Sequence, residues 1–338
     1  MQSPRDPISR EARNSRDLYG VATWDRRSSL DAFSVWVHSL VLGSLRLLVV
    51  LVAFAILVSL FLLGGLGAIF EPVVSALVFL SVLPALAIAL YVWYADITTG
   101  EPLSLLVVTF LLAVLFAMFA AVVNSALSPV FGLIPILGLP LFFYLVVGPV
   151  EEFVKVLAIR LYAFRSDRFD AVIDGAVYGA VAGLGFATIE NALYITQAIE
   201  GTVAGTEIIG VAGDTAAARA LAGPGHVLYS AIAGFYLGLA KFNREHAGPI
   251  IVKGVLIAAF LHATYNTLVS IVPPLLVVTV AGLTPLVALV VFIIVYDGLI
   301  AYYLYRKLSR YRNVYREVGV TERTDAEELS VEVTEFDP

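Results

Sequence analysis

The stretch "LPLFFYLVVGPVEEFVKVLAIRLYAF", residues 139–164, decides the fold class. It is long and apolar enough to cross a ~30 Å hydrocarbon core as a helix. Yet Glu151, Glu152 and Lys155 sit inside it. A charge at the centre of a spanning helix costs roughly 2.5–3.5 kcal/mol on insertion scales, so three together need a reason. Glu151 and Lys155 are four residues apart, share a helix face and can pair. A pair that merely welds helices together would leave Glu152 without a partner.

Composition places this stretch in a larger pattern. The 338 residues are 60% hydrophobic and 14% charged, against about 45–50% and 25% in a soluble globular chain. Apolar runs of spanning length recur, and the alternation of a membrane barrel is absent. Backbone groups in lipid find partners only within a helix, so an all-α polytopic membrane bundle is expected. With no cysteine, disulfides, thiolate catalysis and cysteine-held metal are excluded. The net charge of −6 gives no footprint for a nucleic-acid partner; the lipid bilayer is the expected surrounding. No small-residue cleavage site follows the first apolar run, so no cleaved signal is expected.

Eight spans are expected, at about 38–66, 72–95, 103–126, 140–163, 171–197, 222–241, 250–271 and 285–305. A polar N-terminal tail covers 1–36, the bundle 37–306, and a basic-then-acidic disordered tail 307–338. The Pro- and Gly-broken segment PVFGLIPILGLP, 129–140, reads as re-entrant or interfacial. Arginine and lysine concentrate in the N-terminal tail, at 160–168, at 241–253 and after the last span, whereas 198–221 carries a single Arg219. The positive-inside rule then puts both termini in the cytoplasm of a multi-pass cell-membrane protein, and 198–221 outside.

Within that frame the polar residues of four spans share a depth. Glu151 and Glu152 lie about 17 Å below the outer end of span four at 1.5 Å per residue. Span five carries Gly175, Gly179 and Gly183 at every fourth position, a stripe for close helix approach, and then Phe186, Glu190 and Asn191. Gly223 and Pro224 break the chain before span six, and His226 enters the bilayer in its first turn. His262 and Asn266 share one face of span seven. His38 and His246 read as structural, and Asn124 as a span-end residue. A polar intramembrane cavity walled by spans four to seven is the expected site.

EEFVK at 151–155 resembles the EExxK motif of the PrsW family of intramembrane proteases. FATIEN at 186–191 resembles its FxxxEN motif, GHVLYSAIAGFYLG at 225–238 its third motif, and HATYN at 262–266 its HxxxN/D motif. All four occur in order over about residues 140–270. The superfamily, which includes type II CAAX prenyl proteases, implies an eight-helix core with a polar cavity. Its CAAX members place histidine where this chain has Glu190, so their ligand scheme does not transfer directly. The resemblance implies an intramembrane endopeptidase acting on membrane proteins. Family members can start a regulatory cascade by cutting an anti-sigma factor, so a single-span regulatory protein is an expected substrate.

The resemblance leaves two mechanisms open. In one, Glu151 or Glu152 activates a water, and His262 with Asn266 stabilises the oxyanion, while Lys155, Phe186 and Asn191 support the site. In the other, Glu190, His226 and His262 bind Zn2+ with an open position for water. No HExxH helix is present. A catalytically inactive scaffold of the same fold and a proton-coupled transporter are the rival readings. The motif positions are all filled by competent residue types, and no second half repeats the first.

Overall fold

The computed structural model describes Ile8 and residues 17–41, 72–98, 100–199 and 206–334. Among the described residues the architecture is helical, with no strand beyond one isolated bridge between Tyr19 and Thr23. Helix α1 is Ser29–Val41, α2 Pro72–Ala95, and α3 Leu103–Gly132. Helix α4 is continuous over Gly138–Phe142, a π-helical stretch Phe143–Val147, and Gly148–Leu161. Helices α5 (Val172–Ile199), α6 (Thr206–Phe242), α7 (Ala247–Val269), α8 (Val272–Thr279) and α9 (Pro285–Thr334) complete the chain. Most of the expected first span, 38–66, lies outside the described residues.

Among the described residues, five helical stretches are long and apolar enough to cross a bilayer: Pro72–Ala95, Leu103–Gly132, Val172–Ile199, Arg244–Thr279 and Pro285–Val318. Large apolar side chains such as Leu111, Ile294 and Leu299 stand exposed along them. That is the surface expected of a bundle whose solvent is lipid. The protein is an all-α, multi-pass membrane bundle.

Helix α5 is its centre, buried along most of its length. A Cβ added at Gly179 would lie 2.2 Å from the Ser230 carbonyl oxygen, and one at Gly183 2.4 Å from that of His226. The two backbones therefore touch, as the glycine spacing predicts. A second close approach joins α4 to α7, where a Cβ on Gly148 would stand 2.5 Å from the Ala259 carbonyl oxygen. Gly148 precedes Glu151 by one turn, and Ala259 precedes His262 by one turn. These two contacts bring the polar residues of four helices together. Gly179→Leu is expected to abolish most of the folded yield in detergent, read by size-exclusion chromatography; a normal monodisperse yield would contradict the backbone contact.

Four expectations are corrected. The segment 129–140 is the end of α3, a tight turn with Ile136 at φ 63°, and the start of α4, rather than a re-entrant element. Gly138 fits there because a Cβ would meet the Phe131 carbonyl oxygen at 2.0 Å. Gly223 and Pro224 do not break the chain, because α6 runs through them from Thr206. The alanine-rich sequence AAARALAG upstream has strong helix propensity and carries the helix past Pro224. The 198–221 connection is thus largely helix. Finally, α9 continues to Thr334 rather than stopping near 305, so the tail expected to be disordered is helical over most of its length.

The reason for this last extension is a stripe of apolar residues at helical spacing. Leu304, Leu308, Tyr311, Val314 and Val318 are all buried. On this end Lys307 donates to the Gly20 carbonyl at 3.1 Å and Arg310 to the Asp17 carbonyl at 3.0 Å. The segment before α1 is therefore docked, with Leu18, Val21 and Trp24 buried. Ser28 and Asp31 form a capping box at the start of α1: the Asp31 amide donates to Ser28 Oγ at 3.1 Å, and the Ser28 amide to Asp31 Oδ2 at 2.7 Å. Lys253 of α7 closes the contact on Asp31 Oδ1 at 2.5 Å.

Candidate active site

Glu152 is fully buried and fully partnered. Its Oε1 accepts from Lys155 Nζ at 2.6 Å and from His262 Nδ1 at 2.9 Å, and its Oε2 from Ser230 Oγ at 3.3 Å. The expected Glu151–Lys155 pair is replaced by Glu152–Lys155, one residue closer along the helix. Lys155 also donates to His226 Nδ1 at 3.0 Å and lies 4.2 Å from the Phe186 ring centre. Such a buried pair holds its geometry because each charge finds several partners.

Glu151 is turned the other way, into a cavity of about 510 Å³. Its Oε1 accepts from Asn124 Nδ2 at 2.9 Å, while its buried Oε2 has no hydrogen-bond partner. That free oxygen is 3.7 Å from His262 Nε2. Because the Glu152 carboxylate can only accept, His262 donates through Nδ1 and presents the Nε2 lone pair to Glu151. A carboxylate bonded to one ring nitrogen in this way fixes both the tautomer and the ring orientation of the histidine.

His226 is held between two groups, with Lys155 at Nδ1 and Glu190 Oε2 2.8 Å from Nε2. Its ring stacks on Phe186 at 5.5 Å and meets His262 edge-on at 5.0 Å. Glu190 Oε2 also accepts from Arg219. Arg219 Nε donates to Asn191 Oδ1 at 2.9 Å, and Asn191 Nδ2 donates to Ser81 Oγ at 3.0 Å. Asn191 is thus an anchor between α5, α2 and α6. Asn266 lines the cavity one turn beyond His262.

The residues expected to build the site therefore fall in one neighbourhood, with differences in detail. Glu151, Glu190, His226, His262 and Asn266 line the cavity, whereas Glu152, Lys155 and Asn191 sit behind its wall. The cavity is walled more widely than by spans four to seven, since Asn124 of α3 and Leu289 of α9 also line it. Asn124, Arg219 and Ser230 carry polar contacts to the glutamates that sequence reasoning did not assign. Arg219, expected in an outer loop, lies within α6, which starts at Thr206.

Glu151, His226 and His262 each offer one ligand atom, and the three lie within 4.8 Å of one another. This trio differs from the expected Glu190, His226 and His262. The Glu190 carboxylate accepts from Arg219 and stands 2.8 Å from His226 Nε2.

The chain is 34% identical over 194 residues to the protease PrsW of Geobacillus kaustophilus, covering 57% of this chain and 79% of that one. It is 32% identical over 185 residues to the protease PrsW of Oceanobacillus iheyensis, covering 54% and 78%. To the protease PrsW of Bacillus subtilis it is 28% identical over 199 residues, covering 58% and 83%. No solved structure matches the chain. Residues 101–298, which include every cavity-lining residue, match the description PrsW family intramembrane metalloprotease, and the chain belongs to that family.

Proposed function

We propose that the cavity hydrolyses peptide bonds of membrane-protein substrates, with Glu151, His226 and His262 as metal ligands and Glu190 as the proton acceptor. The observation that carries this reading is the unpartnered Glu151 Oε2, directed at the free nitrogen of His262 inside a polar cavity. The donor set fits a metal: two imidazoles and one carboxylate are zinc-type ligands, with room left for water. When bound, the ion would polarise the scissile carbonyl and acidify the water beside it.

The remaining steps belong to the chain's own side chains. Glu152 holds the His262 ring by its Nδ1, and Asn124 holds Glu151 by Oε1. Glu190 lines the cavity beside His226 and is fixed by Arg219, so its carboxylate is placed to take a proton from water. The same carboxylic acid can then return the proton to the leaving amine. Asn266 brings an amide donor to the wall where the oxyanion develops.

Incubating wild-type protein in proteoliposomes with total membrane proteins should produce new peptide termini detectable by mass spectrometry. The Glu190→Gln variant should yield essentially none of them. An identical set of termini from both proteins would sink the reading.

The basic-residue asymmetry supports a cytoplasmic position for both termini. The contacts of Lys307 and Arg310 with residues 17–20 support a common side for the two ends. Reporters fused after Pro338 and inserted at Thr206 are expected to report opposite sides of the cell membrane. Reporting on one side would contradict the eight-span arrangement. A single-span regulatory protein remains the proposed substrate class, on the strength of the family motifs.

A further inference from the structure

A second group of acids lies at the other end of α5. Asp96 follows α2, Glu101 precedes α3, and Asp174 is in the first turn of α5. One carboxylate oxygen from each lies within 4.8 Å of the other two. Asp174 and Glu190 are sixteen residues apart on one helix, about 24 Å at 1.5 Å per residue. The group is therefore separate from the cavity described above.

Its hydrogen bonding is incomplete in a particular way. Thr98 satisfies Asp96 Oδ1 through its amide at 2.8 Å and its hydroxyl at 2.7 Å. The amides of Asp170 and Ala171 satisfy Asp174 Oδ2 at 2.8 and 2.9 Å. Asp96 Oδ2 and both oxygens of Glu101 are buried with no partner, although Glu101 is only 8% exposed. Independently of the acids, Tyr178 stands one turn along α5 from Asp174, fully buried, with a hydroxyl that also has no partner. Glu101 and Asp174 are the carboxylates that act on that hydroxyl most strongly.

Three ionised carboxylates buried this close together would repel one another, so the group keeps its charge only with a cation present. Among the described residues no salt bridge joins a basic side chain to any of the three acids. Lys241 donates to the Ser166 carbonyl at 2.8 Å and sits 4.6 Å from the Phe169 ring centre. Among the described residues it forms no ion pair with the three acids. Hard divalent cations take oxygen ligands, and Ca2+–O distances of about 2.4 Å let one ion reach oxygens up to about 4.8 Å apart.

We propose that Asp96, Glu101 and Asp174 bind one divalent cation of calcium's size and chemistry, tying the α2–α3 connection to the start of α5. The free oxygens of Asp96 and Glu101 are direct ligands, and Tyr178 faces the ion or a water on it. The ion secures the end of the helix that carries Glu190.

The test uses full-length protein in detergent, stripped of metal and titrated with Ca2+ alone. Calorimetry should give one saturable site per chain that persists in Glu151→Gln, and the melting temperature should rise by roughly 5 °C at a hundredfold excess over Kd. Glu101→Gln should lose both signals. Asp96→Asn, at a half-buried position that tolerates an amide, should weaken binding at least tenfold. Absence of a saturable site in the wild type would overturn the proposal, as would unchanged binding in both variants.

Discussion

Replacing Glu190 by glutamine is expected to lower peptide hydrolysis about 10²–10⁴-fold, the usual cost of losing a general base. The amide keeps an oxygen for Arg219, so the charged contact becomes an ordinary hydrogen bond and the fold should survive. Yield, insertion and bound metal should stay near wild type while turnover falls. The contrast with Glu151→Gln is informative. That change should abolish turnover as well, but by removing a ligand, so that bound metal falls with it. Equal activity of Glu190→Gln and wild type would remove Glu190 from the chemistry.

A large effect on stability is also expected from Lys155. Substituting methionine leaves the fully buried Glu152 carboxylate without its ammonium partner. Breaking a buried pair from one side costs about 3–5 kcal/mol, or roughly 6–15 °C in melting temperature for a chain of this size. Removing both charges, in Lys155→Met with Glu152→Gln, should recover much of that loss. Activity should not return, because His262 would still lack the carboxylate that orients it. A double variant no more stable than Lys155→Met would show that the destabilisation comes from lost packing rather than from the stranded charge.

The parts of the fold that lipid chemistry dictates were readable in the sequence. The spans at 72–95 and 103–126, the glycine stripe of α5 and the shared depth of Glu151, Glu190, His226 and His262 all follow from hydrophobic length and residue spacing. The pairing of Lys155 did not follow. Glu151 and Glu152 stand at i−4 and i−3 from it, and either could have met it. The choice depends on the rotation of α4, and the π-helical stretch Phe143–Val147 sits directly upstream. One extra residue in a turn rotates the following face by about 100°, a shift that hydrophobic periodicity does not reveal.

Asn124, Arg219 and Ser230 were missed for a different reason. Asn124 and Arg219 are single polar residues from distant segments with no spacing pattern of their own, whereas Ser230 stands four residues after His226 on α6, inside a motif read for its histidine. Arg219 carried a usable signal, since AAARALAG is helix-forming and extends α6 upward past Glu190's partner level. The basic and apolar alternation from residue 304 onward likewise contained the Leu304–Leu308–Tyr311 stripe. Reading its charges as solvated hid its helical period.

The most direct measurement of the central claim is the metal content per chain of purified wild-type, Glu151→Gln, His262→Ala and Glu190→Gln proteins, determined together by plasma mass spectrometry. The geometry predicts one zinc-class ion per chain in wild type and in Glu190→Gln, and a strong loss in Glu151→Gln and His262→Ala. Metal retained by Glu151→Gln but lost from Glu190→Gln would contradict the ligand set and place Glu190 in it instead.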